Sequence, residues 1–344
     1  MTTELVASTG SESVDTAVLA IVGLFEAAFP GRLQSVYVEG SYADESAVAT
    51  SDVDLIVLFK DSFRDEEERE AAQRVARYCA QLSALELDFD VLDEAQAMGG
   101  AYPMLKLGSR LLYGEDVRER VPLMPIEEWT RQRMHAAFWL MVNLFGRPRV
   151  ARYPLDYPDP PDEFFGYLRR TIRLADGTEA PTTRDLIRVT GWAATALVAL
   201  KARRYVVRKR ECYVAYREEI SGEWADLLEC IYDICRREWN YLIPEAEEAR
   251  QRLRSLCRST LAFENYFLRE YQSFLVAELR SGDERAISAA LHIQGHTFLG
   301  DEQVLMALHD LARNHDDIGG RAYRVLDEYY LSNSNLVEDE DDEP

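Results

Sequence analysis

Residues 38–60 read VEGSYADESAVATSDVDLIVLFK. A Gly-Ser pair, Gly40-Ser41, is followed by ten small or polar residues and then by an apolar run holding Asp52 and Asp54. Residues two apart on a strand point to one face, so the two carboxylates share a face while Val53 and Leu55 turn to the core. Charge in such a run costs free energy unless something compensates it. Two such aspartates alone fit a solvated strand face as well as they fit a site. A second acidic strand tips the balance. In LELDFDVL, Leu85 to Leu92, the apolar Leu85, Leu87, Phe89 and Val91 alternate with Glu86, Asp88 and Asp90.

Like charges brought together repel unless a cation neutralises them. Two Mg²⁺ ions, hard and oxygen-seeking, are the usual solution to such a carboxylate face. The Gly-Ser pair supplies what phosphate chemistry also needs. Gly40 lets the backbone approach a phosphate, successive N–H groups there can form an anion nest, and Ser41 adds a hydroxyl. A lone Gly-Ser carries little information; Gly-Ser, then Asp-x-Asp, then an acidic strand is a far more specific pattern.

The rest of the chain sets these motifs on elements. Ser13 can cap a helix from Val14 to Phe29 whose Val14, Val18, Ile21, Val22 and Phe25 fall on one face. Pro30-Gly31 ends it, and strands are expected over Leu33–Glu39, Val53–Phe59 and Leu85–Leu92, with a charged amphipathic helix over Arg64–Leu82. Helix, strand, strand, helix, strand makes a small α/β or α+β unit. From Ile126 onward helical periodicity dominates, interrupted by a proline-dense linker at 147–164 and including a long segment from Glu245 to Arg280. The expected organisation is a catalytic domain at 1–125, an all-helical domain at 126–335 and an acidic disordered tail at 336–344.

The 344 residues carry 39 Lys plus Arg against 61 Asp plus Glu, a net charge of −22. Six of those negatives lie in EDEDDE, Glu338 to Glu343, which leaves −16 for the body. That charge disfavours a nucleic-acid surface and suits a cationic small molecule, or a nucleotide held through metal ions. The five cysteines have no C-x-x-C spacing, so neither a disulfide framework nor a zinc ribbon is expected. No signal-peptide pattern opens the chain and no apolar run approaches a membrane span, so the expected compartment is the cytoplasm, with no membrane partner. His292 and His296 have the spacing of a metal pair, but no Glu follows the first, and packing is the simpler reading.

GSYADESAVATSDVDLIVLF together with LDFDVL resembles the active-site signature of the polymerase-beta-type nucleotidyltransferases, in particular the minimal and antibiotic-modifying members. A second block, residues 199–244, resembles the C-terminal helical domain of aminoglycoside adenylyltransferases, and RLLYGED, Arg110 to Asp116, resembles the strand and turn closing their catalytic domain. The resemblance implies an α+β fold, a small mixed sheet with flanking helices followed by helices. It implies that Asp52 and Asp54 bind both Mg²⁺ ions and that a third carboxylate, Asp88 with Asp90 as the alternative, binds one of them. It assigns Gly40 and Ser41 to the nucleotide. Lys209 matches a lysine that relatives offer to the phosphates, although the serine of their Ser-Lys-x-Glu stretch is Arg208 here. The implied reaction moves AMP from ATP to a hydroxyl of a small polar, cationic acceptor such as an aminoglycoside. Glu218, Glu219, Glu223 and Asp226 are available to hold its amines. A protein or tRNA acceptor, or a nucleotide-binding regulator of antitoxin type, are the alternatives. The acidic surface counts against RNA, and three converging carboxylates count against a pure binder.

Overall fold

The computed structural model of the chain describes residues 4–100, 103–174, 177–314 and 316–338. It divides into two compact units, residues 1–125 with 206–212 and residues 126–205 with 213–344. The expected boundary fell once, at 125/126; the chain returns to the first unit for the short stretch Val206–Cys212.

The first unit runs α1 (Glu12–Ala28), β1 (Leu33–Val38), α2 (Gly40–Ala43), β2 (Val53–Phe59), α3 (Glu66–Leu82), β3 (Leu87–Asp93), α4 (Glu94–Met98), α5 (Pro103–Gly108) and β4 (Arg110–Gly114). The strands form one mixed sheet of order β3-β2-β1-β4. β1 is antiparallel to both β2 and β4, and β2 is parallel to β3. A parallel pair cannot be joined by a tight turn, and α3 supplies the crossover. Asp65 caps that helix by accepting from Glu68 N–H at 2.8 Å. α1 starts at Glu12, two residues before the expected Val14: Ser11 precedes it and makes no side-chain cap bond.

Each face of the sheet has its own apolar layer. On one, Val36, Val38, Val53, Leu55, Val57 and Phe59 pack with the stripe Val14, Val18, Ile21, Val22 and Phe25 of α1 and with Ala72, Ala76 and Cys79 of α3. On the other, Tyr37, Ile56 and Leu58 pack with Ala97, Leu105, Val117 and Val121. Covering both faces buries every residue of β1, as expected for a central strand rich in β-branched and aromatic residues. At the end of α5, a Cβ on Gly108 would come within 3.3 Å of the Val207 side chain. That contact packs the returning stretch against the sheet unit.

The second unit is helical: α6 (Ile126–Asn143), α7 (Arg184–Ala202), α8 (Lys209–Glu219, its first turn in the sheet unit), α9 (Glu223–Cys230), a π-helical stretch Ile231–Glu238, α10 (Glu247–Leu279), α11 (Glu284–His296), α12 (Glu302–Ala312) and α13 (Asp317–Glu338). Among its described residues the unit also holds two short strand pairs. β5 (Val150–Ala151) pairs in parallel with β8 (Phe298–Leu299), and β6 (Thr171–Arg173) pairs antiparallel with β7 (Glu179–Pro181). Strands of two or three residues are too short to show a period-2 pattern, so helical periodicity masks them in the sequence. Of the stretch expected as a tail, α13 continues through 338 and residues 339–344 lie outside the described residues. No helix of the described residues is long and apolar enough to cross a membrane.

Candidate active site

The parallel register sets Asp54 beside Asp88, and Ile56 beside Asp90. On the other side of β2 the antiparallel register pairs Val38 with Leu55 and Tyr37 with Ile56. Pairing continues one step further, where Glu39 N–H donates to the Asp54 carbonyl at 2.8 Å. Facing residues of neighbouring strands share a side of the sheet. Glu39, Asp54 and Asp88 therefore form a row across three strands, on the side that carries Tyr37 and Ile56. Asp52 lies two residues before Asp54, and Asp90 lies in the next row.

Electrostatics follow from that crowding. Burial, then the charge of Asp52, push the Asp54 carboxyl up to about 6; Lys209 pulls it back, while Asp88 and Asp90 add to the rise. Burial raises Asp90 as well, followed by the charge of Asp88. Glu39 is raised further, to about 8, by burial and then by Asp90 and Asp54. Desolvation disfavours the ionised carboxylate and neighbouring carboxylates disfavour it again. Perturbed groups of this kind concentrate at functional sites.

Gly40 begins α2 with φ of +58°, and a Cβ there would lie 2.6 Å from Asp54 Oδ2. The glycine is required twice, by the left-handed backbone and by the carboxylate against it. Ser41 is buried beside it. Lys209, exposed at the start of α8, belongs to the stretch grouped with the sheet, and its charge acts on Asp54.

As the side chains lie, no three His, Cys, Asp or Glu among the described residues are grouped so as to hold one metal ion. Asp52, Asp54 and Asp88 are thus neighbours without converging on a point. Like charges side by side turn apart, and Asp88 Oδ1 accepts from the N–H of its own neighbour Phe89 at 2.9 Å. The donor set itself suits a hard cation. It is all oxygen, carries net negative charge, and includes a buried oxygen, Glu39 Oε1, with no hydrogen-bond partner. Glu39 is the residue that sequence reasoning missed. Its signal was a lone acid after the run Val36-Tyr37-Val38, directly before Gly40.

Of the acids available for an acceptor, Glu218 pairs with Arg204 at 2.9 Å and Asp226 with Arg217 at 2.8 Å. Glu219 and Glu223 line a cavity of about 470 Å³ in the helical unit, together with Lys201, Tyr216, Trp224 and Tyr266. His292 and His296 meet each other edge-on, with ring centroids 4.7 Å apart.

Residues 24–100 match the nucleotidyltransferase domain family. Among solved structures, the chain is similar to the spectinomycin adenyltransferase AAD(9) from Enterococcus faecialis, crystallised with ATP and spectinomycin. That similarity has 12% identity and a TM-score of 0.42, and covers 72% of this chain and 98% of the other. A second similarity is to the toxin–antitoxin MntA-HpeT in a mutant form, at 24% identity and a TM-score of 0.22, over 29% of this chain and 75% of the other. No curated protein matches the chain. With the Gly-Ser and Asp-x-Asp motif mounted on a mixed sheet and the family match covering both, residues 24–100 are a nucleotidyltransferase domain, and the chain that carries it is a transferase of that class.

Proposed function

We propose that the chain transfers AMP from ATP to a hydroxyl of a small, polar, cationic acceptor of the aminoglycoside type. The observation that carries this reading is the row of carboxylates beside Gly40. Asp52, Asp54 and Asp88 would hold two Mg²⁺ ions, with Asp90 the alternative to Asp88. When bound, such ions activate the attacking hydroxyl and stabilise the departing pyrophosphate. Gly40 and Ser41 would hold the phosphates, and Lys209 would add a charge-assisted bond to them. Asp88, or Asp90, would take the proton from the acceptor hydroxyl. The net charge of −22 favours encounter with a polycation and opposes a phosphate backbone. The direct test incubates the chain with Mg²⁺, labelled ATP and a panel of aminoglycosides, proteins and tRNA. Label on an aminoglycoside is the expected result. Label on tRNA alone, or none at all, overturns the reading.

Two further results are expected. Gly40→Val forces a β-branched residue into a left-handed conformation, at a cost of about 1–2 kcal/mol, and drives its Cβ into Asp54. ATP binding, measured calorimetrically with Mg²⁺, is then lost; unchanged affinity would make the turn a mere connector. Lys209→Ala weakens ATP binding by roughly 1.5–3 kcal/mol, the worth of one hydrogen bond to a charged group, and leaves acceptor affinity unchanged. Parental ATP affinity in that variant would reduce Lys209 to a solvated helix end.

A further inference from the structure

Glu39 has no structural employment that accounts for it. It is 7% exposed, and its Oε1 is buried without a hydrogen-bond partner. It occupies the position before α2 where a side chain could cap the helix, and it makes no cap bond. No arginine or lysine pairs with it among the described residues; the charges acting on it are those of Asp90 and Asp54, both of its own sign. Buried polar atoms are almost always hydrogen-bonded, and each exception needs an explanation. A glutamine would fill the same volume without the charge. What the glutamate offers in addition is an anionic oxygen, in line with Asp54 and Asp88 across the sheet and adjoining the glycine against which Asp54 packs.

We propose that Glu39 is a cation-binding carboxylate of this face, acting with Asp54 on a hard divalent ion. The inference rests on the metal-dependent reading above and adds a residue to it. An all-oxygen, carboxylate-rich set selects Mg²⁺, Mn²⁺ or Ca²⁺ over softer metals. The unbonded Oε1 gives up no protein hydrogen bond on meeting a cation, so only its burial and the repulsion of its neighbours stand against ionisation. A cation reverses the second of these. The glutamate directly follows β1, whereas the three aspartates sit on or beside β2 and β3. A cation held by both sides would tie the Gly40 turn to the aspartates, so that the phosphate-binding turn and the metal-binding strands are positioned together.

The test is Mn²⁺ binding to the full chain at pH 8 without nucleotide, by calorimetry and electron paramagnetic resonance, in the parent, Glu39→Gln and Asp54→Asn. Glu39→Gln is expected to lower Mn²⁺ affinity by at least about tenfold, the low end of the loss seen when a group supporting a metal site is removed. Its metal-free melting temperature stays at or above the parent's, while the rise in melting temperature on adding Mn²⁺ shrinks. That second readout separates lost binding from lost folding. Parental Mn²⁺ affinity in Glu39→Gln with reduced affinity in Asp54→Asn overturns the inference and leaves the metal-dependent reading standing. Parental affinity in both variants, or no Mn²⁺ binding by the parent, overturns both.

Discussion

Asp54→Asn is expected to lower nucleotidyl transfer by roughly 10³-fold or more, since metal-held charge stabilisation supplies several kcal/mol of the barrier reduction. The same substitution should make the metal-free protein more stable above pH 6. The sign follows from the folded-state pKa. Asp54 is raised from 3.8 to about 6, mainly by burial and then by Asp52. A carboxyl raised on folding favours the folded state while it is protonated in both states, and that contribution fades as pH climbs from about 4 through about 6. Asparagine cannot ionise, so the variant escapes the loss. The gain in melting temperature should be present at pH 7–8 and absent at pH 4. Lys209 limits it, because its attraction to the ionised Asp54 disappears with the charge. A variant that turns over within tenfold of the parent would exclude Asp54 as a metal-binding residue. A gain at pH 4 as large as at pH 8 would show that the effect is not electrostatic.

Period-2 alternation made the acidic face of β3 legible, because a strand that is apolar on one side and carboxylate-lined on the other has few other readings; in β2, apolar on both faces, only the Asp-x-Asp spacing marked Asp54. Which carboxylates are neighbours was not legible. The Asp54–Asp88 pairing is set by the crossover through α3 and by packing on α1, neither of which leaves a mark at residues 52–54 or 88–90. Glu39 illustrates the limit. In the sequence it is one acid after the run Val36-Tyr37-Val38, indistinguishable from a solvated strand end. It becomes a member of the site only when antiparallel pairing places it across from Asp54. Lys209 was visible as part of a basic cluster and by its resemblance to a phosphate-binding lysine. That its stretch groups with the sheet depends on Val207 packing against Gly108, a tertiary contact between residues about a hundred positions apart. The strands at 150–151 and 298–299 were illegible for a third reason: two residues have no period.

The helical unit offers a test of comparable size that does not involve the transfer chemistry. Arg147, just after α6, meets Glu264 of α10 through two nearly parallel bonds, Nη1 to Oε1 at 2.9 Å and Nη2 to Oε2 at 2.8 Å. Their side chains are 5% and 1% exposed. Tyr167 O–H donates to the same carboxylate, and Arg147 also donates to the Met141 carbonyl at 2.8 Å. The Glu264 carboxylate beside Arg147 holds the guanidinium firmly in its charged form, above its ordinary range despite burial, and Tyr167 is raised by burial and by Glu264. Bringing two ions out of water costs nearly as much as their attraction returns, so the pair adds little net stability, but stripping one partner leaves the other charged and dry. Glu264→Ala is therefore expected to cost about 3–5 kcal/mol in denaturant unfolding of the helical unit. Replacing both partners, Arg147→Met with Glu264→Leu, should recover most of that loss, because no buried charge remains unpaired. If the double variant is as unstable as Glu264→Ala, the Tyr167 and Met141 bonds matter more than charge balance. If Glu264→Ala unfolds within about 1 kcal/mol of the parent, the ordinary range for a point substitution, water reaches Arg147 once the carboxylate is removed. Recovery in the double variant after a large loss in the single one would establish that the two charges are kept because each makes the other tolerable.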